Sequence, residues 1–213
     1  MKNLSLISIL KEILEASLTK DYAVETKAQS YIDYVKKQVE NYKTNNHVIK
    51  LINGDIYVKI NKLTIVLTGD NKPIGKGLFQ HSLYNAQYDK NKETIHVFNC
   101  ALEYKPLEAK FNEQYLKHEL IHYFDTADMK TSVVANKIDD KSYDEYVNSP
   151  LEINAHFFQI VMPSVLKQIK SANKLLPFPD FRKAVMEDHA IIRFFRGLNS
   201  NNQKRFLKRI GEY

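Results

Sequence analysis

A chain of 213 residues, 44% of them apolar and 26% charged, with eleven Phe and thirteen Tyr, can bury a core and is not a disordered polymer. The net charge of +6 and pI near 9.1 permit an acidic partner, but Lys and Arg are scattered except near the C-terminus, so composition makes no case for nucleic-acid binding. A single cysteine, Cys100, excludes an internal disulfide, and no apolar run reaches the length of a membrane span, so a globular cytoplasmic protein is expected.

The first residues resemble a secretory leader only briefly. Lys11 and Glu12 end the apolar run, and Leu4, Ile7, Leu10, Leu14 and Leu18 continue at helical spacing, which predicts an amphipathic helix over 3–18. A second helix is expected over 22–43, with Tyr31, Tyr34, Val35, Val39 and Tyr42 on its apolar side and Thr44-Asn45-Asn46 closing it. The period then changes. Val48 to Ile52, the turn Asn53-Gly54-Asp55, and the alternation of Ile56, Val58 and Ile60 with Tyr57 and Lys59 predict strand, turn, strand. Leu63–Thr68, Leu78–Tyr88 and Thr94–Phe98 read as further strands of a small, mainly antiparallel sheet.

A helix over 111–126 follows. Next comes a polar connection and then a helix start at Asn148-Ser149-Pro150, where Ser149 suits the N-cap and Pro150 the first helical position. Pro163 is expected to end or kink that helix. Helices over 164–175, 181–196 and 201–210 complete the chain, with the turn Pro177-Phe178-Pro179-Asp180 among them. The last helix is basic and amphipathic, and reads first as an exposed capping helix. The expected organisation is one α+β domain over 1–213, with N-terminal helices (1–45), a core (46–160) and a C-terminal helical extension (161–213).

The helix over 111–126 contains His118-Glu119-Leu120-Ile121-His122, an H-E-x-x-H pattern. The four-residue spacing stacks both imidazoles on one helix face, where two nitrogens can reach one Zn²⁺ while the adjacent glutamate serves as general base. The competing reading is a buried helix whose histidines are satisfied by hydrogen bonds. A catalytic zinc needs a third protein ligand. Glu152, thirty residues after His122 and one turn into the separately capped helix, is the best candidate. His156, one turn beyond Glu152, and Asp125 remain rivals. On a straight helix Asp125 is displaced from His118 by about 10 Å of rise.

His118-Glu119-x-x-His122, followed by Glu152-x-x-Ala155-x-x-Phe158 on a second helix, resembles the gluzincin metallopeptidases. The pattern is similar above all to the compact branch of ImmA/IrrE-type and phage- or bacterium-encoded peptidases. The resemblance covers about 111–160. It implies a zincin-like fold with an active-site helix and a glutamate helix. In it His118, His122 and Glu152 are zinc ligands, Glu119 is the general base, Ala155 permits close helix approach and Phe158 packs behind the site. The chain departs from the larger gluzincins at His156, where they carry an aspartate that supports a ligand histidine. Asp125 or Asp128 could take that supporting role.

The resemblance implies hydrolysis of a protein or peptide substrate, laid along a sheet edge for which Leu78–Tyr88 is the candidate, with His81, Tyr84 and Gln87 as contacts. Tyr143, Tyr146 and His189 are further candidates to stabilise an oxyanion. The Lys- and Asn-rich composition also suits a phage-encoded protein made in the host cytoplasm. A second expectation is therefore a virion-associated or regulatory protein that keeps the zinc-binding scaffold. A DNA-contacting regulator is the third, resting only on the basic final helix.

Overall fold

A computed structural model describes residues 6–45, 50–52, 55–69, 86–98, 100, 111–128, 143–171 and 178–211. The class is α+β, and the chain divides into two compact units. A helical unit comprises 1–27 and 143–213, and a sheet unit comprises 28–142.

Helix α1 runs without a break over Leu6–Asn45, which corrects the expectation of two helices. The stretch Leu18-Thr19-Lys20-Asp21-Tyr22 holds neither glycine nor proline, so nothing in it stops the helical hydrogen-bond ladder. In the sheet unit the buried stripe of α1 is Ala28, Ile32, Val35 and Val39, spaced four, three and four apart. Tyr34, expected on the apolar side, is 41% exposed, because it falls on the far side of that stripe.

The sheet has five strands, β1 (Lys50–Ile52), β2 (Asp55–Ile60), β3 (Leu63–Leu67), β4 (Ala86–Asp89) and β5 (Thr94–Val97), in the order β1-β2-β3-β5-β4. β2 and β3 form a hairpin with Val58 opposite Ile65, closed by Asn61 at φ 55°, a left-handed position that asparagine tolerates. β4 turns back onto β5 with Gln87 opposite His96. β3 and β5 are parallel. The sheet is therefore mixed, but three of its four pairings are antiparallel, in line with the mainly antiparallel sheet expected; the parallel pair needs a long crossover, and 68–93 intervenes. On β2, Ile56 and Val58 are buried and Lys59 is exposed, as the alternation required. β3 is buried at four of five positions.

Cys100 lies beside the end of β3, its N–H donating to the Thr68 carbonyl at 3.0 Å and its thiol to the Val97 carbonyl at 3.3 Å. Burial pushes the thiol up to about 12, so it is a neutral packing group. Of the expected edge strand over 78–88, residues 86–88 lie in β4, which ends the sheet order. Positions 78–85, with His81 and Tyr84, lie outside the described residues, as does the turn Asn53-Gly54.

Helix α2 (Glu113–Asp128) follows in the sheet unit and packs on β4 and β5. The helical unit contains α3 (Tyr143–Val147), α4 (Pro150–His156), a π-helical turn (Phe157–Val161), α5 (Met162–Ser171), α6 (Phe178–Val185), α7 (His189–Gly197) and α8 (Ser200–Ile210). Pro163 does not end the helical run; instead the turn before it widens. The Met162 N–H reaches back five residues to the Phe157 carbonyl, which accommodates a ring that would crowd the carbonyl four residues before it. The expected helix over 181–196 is two, because Asp188 caps a new start by accepting from the Ala190 N–H at 2.8 Å. Phe178-Pro179-Asp180, expected in a turn, begins α6; proline is compatible with a first helical turn, where its missing N–H has no partner to lose. Among the described residues no helix is long and apolar enough to cross a membrane.

Candidate metal centre

In the sheet unit, Leu116, Leu120, Ile121 and Phe124 fix the roll of α2. All four are buried, and the Phe124 ring meets Tyr31 of α1 edge-on at 5.4 Å. At 100° per residue that apolar arc leaves His118, His122 and Asp125 together on its flank. The His118 and His122 rings stand 4.7 Å apart at 81°, and their Nε2 atoms are 3.1 Å apart. Two nitrogens bound to one tetrahedral zinc, each at about 2.0–2.1 Å, would be separated by about 3.3 Å. The pair thus has a separation that fits two ligands on a single ion, through the same ring atom on each residue, and fits equally an Nε2–H···Nε2 hydrogen bond between the rings. His118 is 6% exposed, while Glu119 and Asp125 are half-buried.

The Glu119 side of α2 carries a residue that motif reading passed over. Tyr123, four residues after Glu119, meets Tyr88 of β4 edge-on at 5.7 Å. Burial raises both phenols above their ordinary value. For Tyr88 a hydrogen bond from the Thr126 side chain works against the rise, and for both the nearby Glu93 adds to it. Both keep their protons at neutral pH and remain donors. The signal was available, since Tyr123 stands one helical turn past Glu119, directly after the motif.

In the helical unit, Ser149 caps α4 as expected. Its backbone is extended, its Oγ accepts from the Glu152 N–H at 3.3 Å, and Pro150 occupies the first turn. Glu152 is therefore third in the helix and acidic in the first turn, where the helix dipole favours a carboxylate. It is 7% exposed, and Ala155 and Phe158 beyond it are buried. His156 stands one turn on, with Nε2 3.9 Å from a Glu152 carboxylate oxygen, Nδ1 3.0 Å from Gln159 Oε1, and its ring 4.6 Å from that of Phe194.

A guanidinium whose role no motif announced braces this helix. Arg209 of α8 donates to Asp21 at 2.9 and 3.2 Å and to Asn154 Oδ1 at 2.9 Å, and lies 3.8 Å over the centre of the Phe157 ring. At the start of α4, Asn148 accepts from Asn202 and from the Asn199 N–H, and donates to the Gly197 carbonyl. Tyr146 lies in α3 and His189 is exposed at the start of α7, and the described contacts draw neither into a donor cluster.

Of the expected ligands, His118 and His122 lie together on α2 of the sheet unit, and Glu152 lies on α4 of the helical unit, beside its rival His156. Comparison with family models, with curated proteins and with solved structures returned no match.

Proposed function

We propose that this chain is a zinc-dependent metallopeptidase of the compact gluzincin type. In this reading His118, His122 and Glu152 hold the ion and Glu119 is the general base. The observation that carries it is the 3.1 Å separation of the His118 and His122 Nε2 atoms, within about 0.2 Å of what two ligands of one tetrahedral zinc require. Zinc in such a site supplies a water acidified toward a pKa of about 7 and a Lewis acid for the scissile carbonyl. Glu119 takes the proton of the attacking water and returns it to the leaving amine, working from a half-buried position one residue after the first ligand.

The substrate is a peptide in extended form. β4 ends the strand order of the described sheet, and an end strand can accept another strand by main-chain hydrogen bonding. Gln87, opposite His96, is the one expected contact that lies in β4.

The test begins with metal content. Protein purified without chelator is expected to carry one zinc per chain, and His118→Ala and Glu152→Ala are each expected to lose it. Glu119→Gln should retain the zinc and lose cleavage of a denatured protein substrate. A wild-type chain that takes up no zinc ends this reading. Full zinc occupancy with no cleavage of any substrate by the wild type would instead favour a binding protein built on the same scaffold, the virion-associated or regulatory alternative.

A further inference from the structure

From His189 to Gly211 the helical unit carries six Lys and Arg and no acidic residue. Extended back to Arg182, the excess of basic over acidic residues is six, which equals the net charge of the whole chain. The fold sorts these cations. Arg209 is turned inward, onto Asp21 and the Phe157 ring. Arg193, Arg196, Lys204, Arg205 and Lys208 are exposed, and among the described residues none of them is in an ion pair.

On α7, Arg193 and Arg196 stand three apart on the side opposite the buried Ile191. On α8, Lys204, Arg205 and Lys208 share an arc of about 100° with the exposed Asn201, opposite the buried Phe206 and Ile210. The two helices are joined through Leu198-Asn199 and fixed to each other on their inner sides. There Phe194 and Phe195 meet the Phe206 ring at 5.8 and 5.9 Å, and the Gln203 side chain donates to the Phe195 carbonyl at 3.1 Å. Both basic rows are therefore presented outward by one fixed helix pair.

The chemistry of this face selects its partner. Besides these cations and Asn201, the exposed residues of α7 and α8 are His189, Ala190 and Ser200, so no large apolar side chain is offered. A bilayer surface takes up an amphipathic helix by its apolar side, which here is buried. A protein partner is anchored by aromatic or aliphatic groups, and a single nucleic-acid strand by rings on which its bases stack. A duplex needs neither, because Lys, Arg and Asn side chains contact its phosphates directly. The major groove of B-DNA admits an α-helix, and that of duplex RNA is too narrow. We propose that the outer face of α7 and α8 binds the phosphate backbone of duplex DNA without reading its sequence. This surface goes beyond the zinc reading and does not depend on it.

The full-length chain is titrated onto short fluorescein-labelled DNA duplexes of two unrelated sequences, followed by fluorescence anisotropy at about 50 to 200 mM salt. Equal affinities are expected, with dissociation constants of about 10⁻⁶ to 10⁻⁴ M at physiological salt. The slope of log K against log salt should be about −3 to −4.5, the steeper value corresponding to all five cations on phosphates. Lys204→Gln with Lys208→Gln, and separately Arg193→Gln with Arg196→Gln, should each flatten the slope by about 2 and weaken binding about 10- to 100-fold at about 100 mM salt. Arg182→Gln with Lys183→Gln removes the same charge from exposed positions on α6 and should leave both quantities near wild type. The two rows are tested independently, so one folded double variant, checked by circular dichroism, is sufficient.

Equal losses in all three double variants mean attraction by net charge alone and overturn the proposal. So does an absence of binding at about 50 mM salt, tighter binding of single-stranded DNA or duplex RNA, or retention by phosphatidylserine vesicles with none by DNA. Each of these results leaves the zinc peptidase reading intact, since that reading stands or falls on metal content.

Discussion

Helices α2 and α4 carry their candidate ligands at the same spacing, i and i+4, yet they are held by different means. On α2 the histidines ride beside a continuous apolar arc of Leu116, Leu120, Ile121 and Phe124, and the burial of that arc sets the roll of the helix that carries them. On α4 the direction is set by polar devices. Ser149 caps the first turn, Asn148 ties it to the junction of α7 and α8, Gln159 orients His156, and Arg209 grips Asn154 two residues past Glu152. Apolar packing tolerates small shifts and fails by creating cavities, whereas a hydrogen-bonded brace fails by leaving a charge or amide without its partner. The two sites should therefore break differently.

The largest effect is expected at Leu120, which is fully buried between the two turns of the histidine pair. Leu120→Ala should destabilise the protein by about 2–5 kcal/mol, read as a lower urea midpoint with unchanged slope. Zinc affinity of the molecules that remain folded should stay near wild type, because the spacing of His118 and His122 comes from the helix itself. A tenfold loss of affinity in the folded fraction would mean that α2 too depends on fine placement.

Arg209 gives the contrasting result. Arg209→Met keeps much of the apolar stem but removes the bonds to Asp21 and Asn154, in a pair whose side chains are 26% and 17% exposed. The stability loss should be about 1–3 kcal/mol, between the limits for surface and buried pairs. Zinc affinity should fall well below that of Leu120→Ala, despite the smaller effect on stability. Arg209→Lys should recover only part of it, since an ammonium has no planar fork to bridge Asp21 and Asn154 while lying on Phe157. Equal zinc affinities in the Met variant and wild type would show that α4 holds its donors without the brace.

The same contrast explains how much could be read from the sequence. The α2 pair was legible because helical periodicity and the H-E-x-x-H spacing are local, and so was the start of α4, where Ser149 and Pro150 are local signals. The hairpin of β2 and β3 was legible for the same reason. The parallel pairing of β3 with β5 was not, because an apolar strand reads alike in either direction and the choice depends on the crossover between them. Nor was the Arg209 brace, whose partners lie 188 and 55 residues away along the chain. In sequence Arg209 was one of several cations on a basic helix. The widened turn at Phe157–Val161 was foreshadowed only by Pro163, and it is that turn which brings the Gln159 amide to His156.

The smallest expected effect is at Ser149, where the polar devices of α4 can be tested one at a time. Ser149→Ala removes the acceptor for the Glu152 N–H and should cost about 1 kcal/mol of stability, with Ser149→Asp close to neutral. The same bond ends on the residue proposed as a ligand, so the loss is not confined to stability. With the first turn uncapped, Glu152 samples more than one backbone position, and part of the ordering cost is transferred to metal binding. Zinc affinity should then fall about two- to fivefold in the alanine variant and recover in the aspartate variant, the range that about 0.4–1 kcal/mol commands. Were the stability loss present and the affinity unchanged, the carboxylate would be held by its burial rather than by its cap, and α4 would resemble α2 after all.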